Sequence, residues 1–552
     1  MREILIAVLL WTATGASAQM LVQYDVSFPA NEPNRIDVVC EIPQFIGGDV
    51  SLRILTYWAR AEDLWRNVQD LRVENSLGTI TEHTLTPDGL FATLELTNQP
   101  EGLLRFTYAI NARETLRYEA EPTRNAEYCF AGGRALFLEL QRTRRADYWV
   151  RFALPDGWRA TTSWGHGSAE FHPGDGQALV NSKIALGDYR TLSGELMGST
   201  ITLSIRDRWS FSDEALLSSL LDYAHYFSSF FGEFPEDSLV FIINKGQPDL
   251  PDGEHTPGVI SIAYPGGPET LDPRKTDDYL NSLVAIHELF HLWNGRHLAA
   301  EGYGWFQESV NTYNAVVTAY RRWPRSTAAQ ETAADAFLVG QLEGWLTGAD
   351  YWGPSSLAAL VLDAEIRRGS SGERSLDDLL KLMYDTYAAD DPGLYTSAEL
   401  FDLASSLAGS DLGWIDEEFV RDPNLKSRQT YAGYVDQFFD WIKREQAVTA
   451  IVERTQAPLP SRPVLDDNFP NPFNAHTIIG FGVPRADRVS LSIYNVGGQL
   501  IRTLSSESLA EGFYRVAWDG RDDSGQYVAS GAYLYRLRQG HQILTKRMML
   551  IR

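Results

Sequence analysis

Two histidines and a glutamate within five residues carry the most specific chemistry in the chain. From Asn281 the sequence runs Asn-Ser-Leu-Val-Ala-Ile-His-Glu-Leu-Phe-His-Leu-Trp-Asn-Gly-Arg to His297, which places His287, Glu288 and His291 as H-E-x-x-H inside an apolar stretch that reads as a helix. Four residues is a little over one helical turn, so His287 and His291 project from one face and can share one ion. Imidazole suits zinc, and a hydrolytic zinc site takes three protein ligands and keeps one position for water. Glu288, at the edge of the same face, can take a proton from that water, whose pKa the metal lowers to roughly 7. A buried amphipathic helix whose histidines bond to backbone would also produce the pattern. The apolar residues Leu283 to Ile286 and the Leu289-Phe290 pair give the buried setting that a zinc site needs.

The elements that complete such a site must supply a third ligand, and three residues are candidates. His297 lies six residues after His291, the spacing of the third ligand in metzincins, but position 294 holds Asn where that motif has its turn Gly. Metzincins also place a Met-turn beneath the metal, and Met383, the Met between this helix and the C-terminal module, sits in a helical pattern. Glu301 is the second candidate, with nothing around it that reads as a metal-bearing helix. Glu308 is the third: in Gly304-Trp-Phe-Gln-Glu-Ser-Val-Asn-Thr-Tyr313 an aromatic pair precedes a Glu that opens a new helix. A Glu from the helix after the motif is the gluzincin arrangement, and Glu308 is the favoured ligand.

His287-Glu-Leu-Phe-His-Leu-Trp-Asn294 followed by Trp305-Phe-Gln-Glu308 resembles the glycyl aminopeptidase family of gluzincin metallopeptidases. More distantly it is similar to the leukotriene-hydrolase-like aminopeptidases. Sixteen residues, 292 to 307, separate His291 from Glu308, a shorter connection than those families usually have. The resemblance implies an all-β domain ahead of a mainly helical, thermolysin-like zinc domain. It also implies that a Glu in a Gly-rich segment some thirty residues before the zinc helix binds the substrate's free amino terminus. Gly253-Glu254-His255 resembles that segment, so Glu254 is the implied substrate-binding residue, in what otherwise reads as a polar loop. Finally, it implies that a Tyr ahead of a Gly and a Leu-rich helix hydrogen-bonds to the tetrahedral oxyanion, and Tyr351 is the matching residue once an insertion is assumed. Ala131-Gly-Gly-Arg-Ala-Leu-Phe-Leu-Glu139 resembles the family's Gly-rich approach to an active-site strand, and by its own chemistry reads as a turn and a core strand.

The rest of the chain sets these residues in context. With 552 residues, 44% hydrophobic and 12% aromatic, there is material for several cores, and a net charge of −25 disfavours nucleic acid and anionic membranes as partners. Residues 1–18 read as a secretory signal, with Arg2, an apolar run from Ile4 to Trp11, and Ala16-Ser-Ala18 before the cleavage point; no later run is long enough to span a membrane. Cys40 and Cys129 can form one disulfide in an oxidising compartment or remain two buried thiols.

Residues 19–205 show alternating strands, as in Arg35 to Ile42 and Leu103 to Ile110. Near 206 the period changes: Ser212-Asp-Glu-Ala-Leu-Leu starts a helix with Ser212 as N-cap, a buried strand follows at Leu239 to Ile243, and 206–445 reads as the zinc domain. Residues 446–465 are a Pro-rich spacer. From 466 to 552 short strands form an Ig-like β-sandwich, and Phe469-Pro-Asn-Pro-Phe-Asn474, Trp518-Asp-Gly520 and Ser530-Gly-Ala-Tyr533 resemble the C-terminal sorting domain of type IX secretion substrates. That resemblance implies export across a Gram-negative outer membrane, with the type IX machinery as a partner.

The expectation is therefore a multidomain α+β protein: a secreted or cell-surface zinc aminopeptidase acting on peptides, with one zinc on His287, His291 and Glu308. Glu288 is its base, Tyr351 its oxyanion donor and Glu254 its amino-terminus ligand. The alternatives are a metalloendopeptidase using His297 and a non-catalytic surface binding protein on a gluzincin scaffold.

Overall fold

The computed structural model describes residues 20–57, 62–116, 120–141, 146–209, 212–246, 252–264, 278–301, 305–322, 334–342, 353–388, 393–421, 433–435, 437–438, 441–442, 453–455, 462–466, 468, 471, 473, 477–518, 520–522 and 528–550. The proposed signal at 1–18 and Tyr351 lie outside them. By its contacts the chain divides into one compact unit up to Leu292 and another from Trp293 onward.

The first unit opens with three sheets. A seven-stranded sheet has Leu21–Ser27 and Arg35–Phe45 at its centre, flanked by Asp147–Ala153 and Gly102–Asn111. Strict alternation explains it: Val22, Tyr24 and Val26 of the first strand are buried while their neighbours are not, so one face closes over a core with Val38, Phe106, Leu52 and Leu94. Cys40 and Cys129 sit in that core as free thiols, and burial pushes both up to about 12. Of the two readings left open by the sequence, the two-thiol one is correct.

The sheet that matters for the candidate site follows. It comprises β1 (Arg190–Leu196), β2 (Ser199–Ile205), β3 (Ser238–Lys245), β4 (Asp252–Thr256) and β5 (Val259–Tyr264), in the order β1-β2-β3-β5-β4. β2 pairs with β3 in parallel, Thr200 opposite Ser238 through Ile205 opposite Ile243. The boundary expected at 205/206 therefore cuts through one sheet. The change of period there marks the start of the crossover helix α1 (Asp213–Phe231), which connects two parallel strands, and not a domain edge. Ser212 caps α1, its Oγ accepting from the Ala215 N–H at 3.2 Å, and Gly232 ends it.

Residues 252–256, expected as a loop, are a strand. Pro257 and Gly258 make the two-residue turn of a β4–β5 hairpin, with Thr256 opposite Val259. Gly258 has φ +73°, as the third position of a type II turn requires after a Pro. The unit ends in α2 (Asp278–Phe290), the helix carrying the H-E-x-x-H residues, which rests on α1 through Phe290 against Phe227 and Phe231, ring centroids 4.8 and 5.8 Å apart.

The second unit begins with helices: α3 (Trp305–Arg322), α4 (Gly353–Gly369), α5 (Leu376–Tyr387) and α6 (Ser397–Ala408). Buried Asp363 ties three of them together. It accepts from Tyr313 Oη on α3 at 2.8 Å, from Arg367 Nε on α4 at 2.7 Å, and from the Leu376 N–H at the start of α5 at 2.6 Å. Met383 is buried inside α5, so it makes no Met-turn. A short parallel pair, Leu298–Ala300 with Gly393–Tyr395, interrupts the helical region.

At the C-terminus two four-stranded sheets enclose Ile479, Phe481, Leu491, Ile493, Val516, Trp518 and Tyr535, an Ig-like β-sandwich. The sandwich begins earlier than the expected spacer allows: Glu453–Thr455 pairs with Gly512–Trp518, and Val464–Leu465 with Thr477–Val483. Strands of two or three residues at either end of a Pro-rich stretch carry too little alternation to be read from sequence. Within the sorting-like motif, Asn471 Oδ1 accepts the Met549 N–H at 2.9 Å and Phe473 packs on Trp518. Among the described residues no helix is long and apolar enough to cross a membrane.

Candidate metal centre

α2 places His287 and Glu288 in its last turn, and His291 follows one residue beyond it, its N–H still bonding to the His287 carbonyl at 3.3 Å. That residual helical bond keeps the two imidazoles on one face. Their Nε2 atoms lie 3.2 Å apart. Two nitrogens bound at about 2.0–2.1 Å to one tetrahedral ion stand about 3.3–3.4 Å apart, so the pair has the spacing of two zinc ligands. Glu308, in the first turn of α3, completes a set: ligand atoms of His287, His291 and Glu308 all lie within 4.8 Å of one another. Two imidazoles and one carboxylate are a donor set that fits a hydrolytic zinc, whose fourth position goes to water. His297 and Glu301 do not belong to the set. The His297 carbonyl instead accepts the Gly393 N–H at 2.9 Å, and the Glu301 N–H donates to Tyr395, so both residues fix backbone beside the short parallel pair.

The position of α3 depends on two amides that sequence reasoning missed. Asn294, 1% exposed, donates from Nδ2 to Asn311 Oδ1 at 2.9 Å, and Asn311 is fully buried. Asn311 stands three residues after Glu308, on the same side of the helix. The amide pair thus holds the ligand-bearing face of α3 to the turn just after the H-E-x-x-H segment. Their conspicuous signal was the Asn at 294 in place of a turn glycine.

Strand β4 lies along α2 beside Glu288. A Cβ added to Gly253 would stand 2.7 Å from Val284 Cγ1, 2.9 Å from Glu288 Cγ and 3.0 Å from Glu288 Oε1, so the strand reaches the helix only because this residue has no side chain. Glu288 is 8% exposed. Two residues along the same strand face, the His255 ring lies nearly parallel to that of His291, at 14° with centroids 6.1 Å apart.

Glu254 points the other way. Alternation turns it from α2 toward Lys183, whose Nζ meets Glu254 Oε2 at 2.6 Å; the two side chains are 2% and 18% exposed. Arg134 stands in the same neighbourhood, bonded from Nε to Asn181 Oδ1 at 3.1 Å, and burial pushes its guanidinium down while Glu254 and Glu139 oppose that shift. The carboxylate expected to receive an amino terminus is therefore already matched by a buried lysine. The Gly-rich segment read as turn and core strand is the strand Tyr128–Gly132 followed by a single helical turn, Gly133–Leu136, which brings Arg134 here.

Comparison with solved structures shows a shared fold. An aminopeptidase N family protein from Idiomarina loihiensis superposes with a TM-score of 0.57 at 13% identity, covering 96% of each chain. Legionella pneumophila aminopeptidase A in complex with aspartic acid aligns at 0.44 and 12%, covering 92% of this chain and 58% of that one. An M1 zinc metallopeptidase from Deinococcus radiodurans aligns at 0.42 and 15%, covering 74% and 94%. The FlgD Ig-like domain family model matches residues 476–541, within the C-terminal sandwich. Among curated proteins no match is found.

Proposed function

We propose that the chain is a zinc metallopeptidase that removes N-terminal residues from peptides. The observation that carries this reading is the convergence of His287, His291 and Glu308 on one point with Glu288 buried beside them. A zinc ion held there supplies an acidified water and a Lewis acid for the scissile carbonyl. Glu288 takes the proton of the attacking water and returns it to the departing amine as the C–N bond breaks. Among the described residues β4 is the edge strand of its sheet, the position at which an extended peptide laid along α2 would add as a further strand.

The aminopeptidase reading draws support from the fold shared with the Idiomarina protein. The glycyl aminopeptidase motif supports the narrower family, with Tyr351 as a further oxyanion donor. The C-terminal motifs support export through a type IX machinery to the exterior or cell surface, the N-terminal signal being removed on the way.

The Lys183–Glu254 ion pair favours a second reading, an endopeptidase. A carboxylate neutralised by a buried lysine attracts a substrate ammonium weakly, so Glu254 selects little for a free amino terminus. A peptide panel offered free and N-acetylated to the zinc-loaded full chain tests this. Cleavage of the free peptides alone supports the aminopeptidase; equal cleavage of both series establishes the endopeptidase.

A further inference from the structure

We propose that His255 is a catalytic residue of this centre, donating a ring N–H to the substrate's carbonyl oxygen as that oxygen becomes the tetrahedral oxyanion. The role rests on the peptidase reading above. On β4, His255 shares the strand face of Gly253, and Gly253 touches Glu288. Its ring faces that of His291. The putting-together of these contacts sets an imidazole from the strand over the ligand His and base Glu from the helix, so a carbonyl attacked at this centre develops its charge beside a fixed donor.

Imidazole has at least one N–H in each of its protonation states, so the role does not depend on titration. It also lies on the opposite strand face from Glu254, which explains how one short segment serves two purposes: Glu254 anchors the strand to Lys183 and His255 faces the chemistry. A preorganised donor of this kind is worth about 10²–10³ in rate.

The rival role is structural, with His255 only steadying the His291 ring. The experiment uses the full-length zinc-loaded protein as wild type, His255→Ala and His255→Gln. It measures zinc affinity against a competing chelator, kcat and KM on a peptide that wild type cleaves, and affinity for a phosphinic peptide, whose tetrahedral P–O⁻ mimics the oxyanion. The expected result is unchanged zinc affinity, KM within a few-fold, and kcat and phosphinic affinity both reduced by about 10²–10³, partly restored by Gln, which keeps an N–H donor. Loss of zinc in both variants would show the steadying role instead, and kcat within about three-fold of wild type would dismiss the donor. An inert wild type carrying one zinc would overturn the peptidase reading itself, whereas an active wild type with indifferent variants overturns only the role of His255.

Discussion

Gly253 and Glu288 are in contact: the Cα of the strand residue sits where a side chain would press on Cγ and Oε1 of the carboxylate, at 2.9 and 3.0 Å. Gly253→Ala must therefore move either β4 or the base. We expect the variant to keep its zinc, since neither His nor Glu308 is displaced, and to lose kcat by about 10- to 100-fold, because misplacement of a reacting group by an ångström costs on that order. Metal analysis beside steady-state kinetics checks both halves; unchanged kcat would mean that the strand yields freely.

The amide pair Asn294–Asn311 is the corresponding support for the third ligand. Asn311→Ala leaves the buried Asn294 amide with only its long contact to the Gln307 carbonyl at 3.5 Å, a loss of about 1–3 kcal/mol measurable by denaturant unfolding. Because Glu308 shares that helix face, zinc affinity should fall by about 10–100-fold, as for other residues that orient metal ligands. A stability loss with zinc affinity intact would separate the amide pair from the centre.

How much of this was legible in the chain follows from the range of each interaction. His287 and His291 were legible because four residues in an apolar run fix a shared helix face, and Glu308 because it opens the next helix. The C-terminal sandwich was legible from its alternation and turns. The ion pair of Glu254 was not legible because its partner Lys183 is 71 residues away, and the strand at 252–256 was read as a loop because the Pro257-Gly258 turn was not used. Once the segment is a strand, alternation alone turns Glu254 from α2 and brings His255 to it. The contacts of Gly253 and Asn294 join elements remote in sequence and leave no local signature beyond residue type.

Substitution discriminates directly between Glu308 and His297 as the third ligand. Glu308→Ala should abolish stoichiometric zinc binding in equilibrium dialysis, and His297→Ala should leave one zinc per chain. The reverse pattern would restore the His297 arrangement.

Cys40 and Cys129 should react as two thiols in denaturant without any reductant, and hardly at all in the native protein at pH 8, where burial holds both near 12. An unfolded thiol ionises near 8.5, so below that pH neither state releases the proton. Above it the unfolded chain ionises while the native core does not, and stability falls as pH rises from about 8.5 to about 12. Replacing both by Ser or Ala should flatten that alkaline limb. Absence of free thiol in denaturant would show that they are paired.

The central claim is that Glu288 is the base of a zinc peptidase centre built by His287, His291 and Glu308. The most direct test is the full-length Glu288→Gln variant, assayed for zinc content and peptide hydrolysis beside wild type. One zinc in each protein, with hydrolysis by wild type that chelation removes and that the variant lacks by several orders of magnitude, is the predicted result. Equal hydrolysis by both proteins, or a wild type that carries zinc and cleaves nothing, would contradict it.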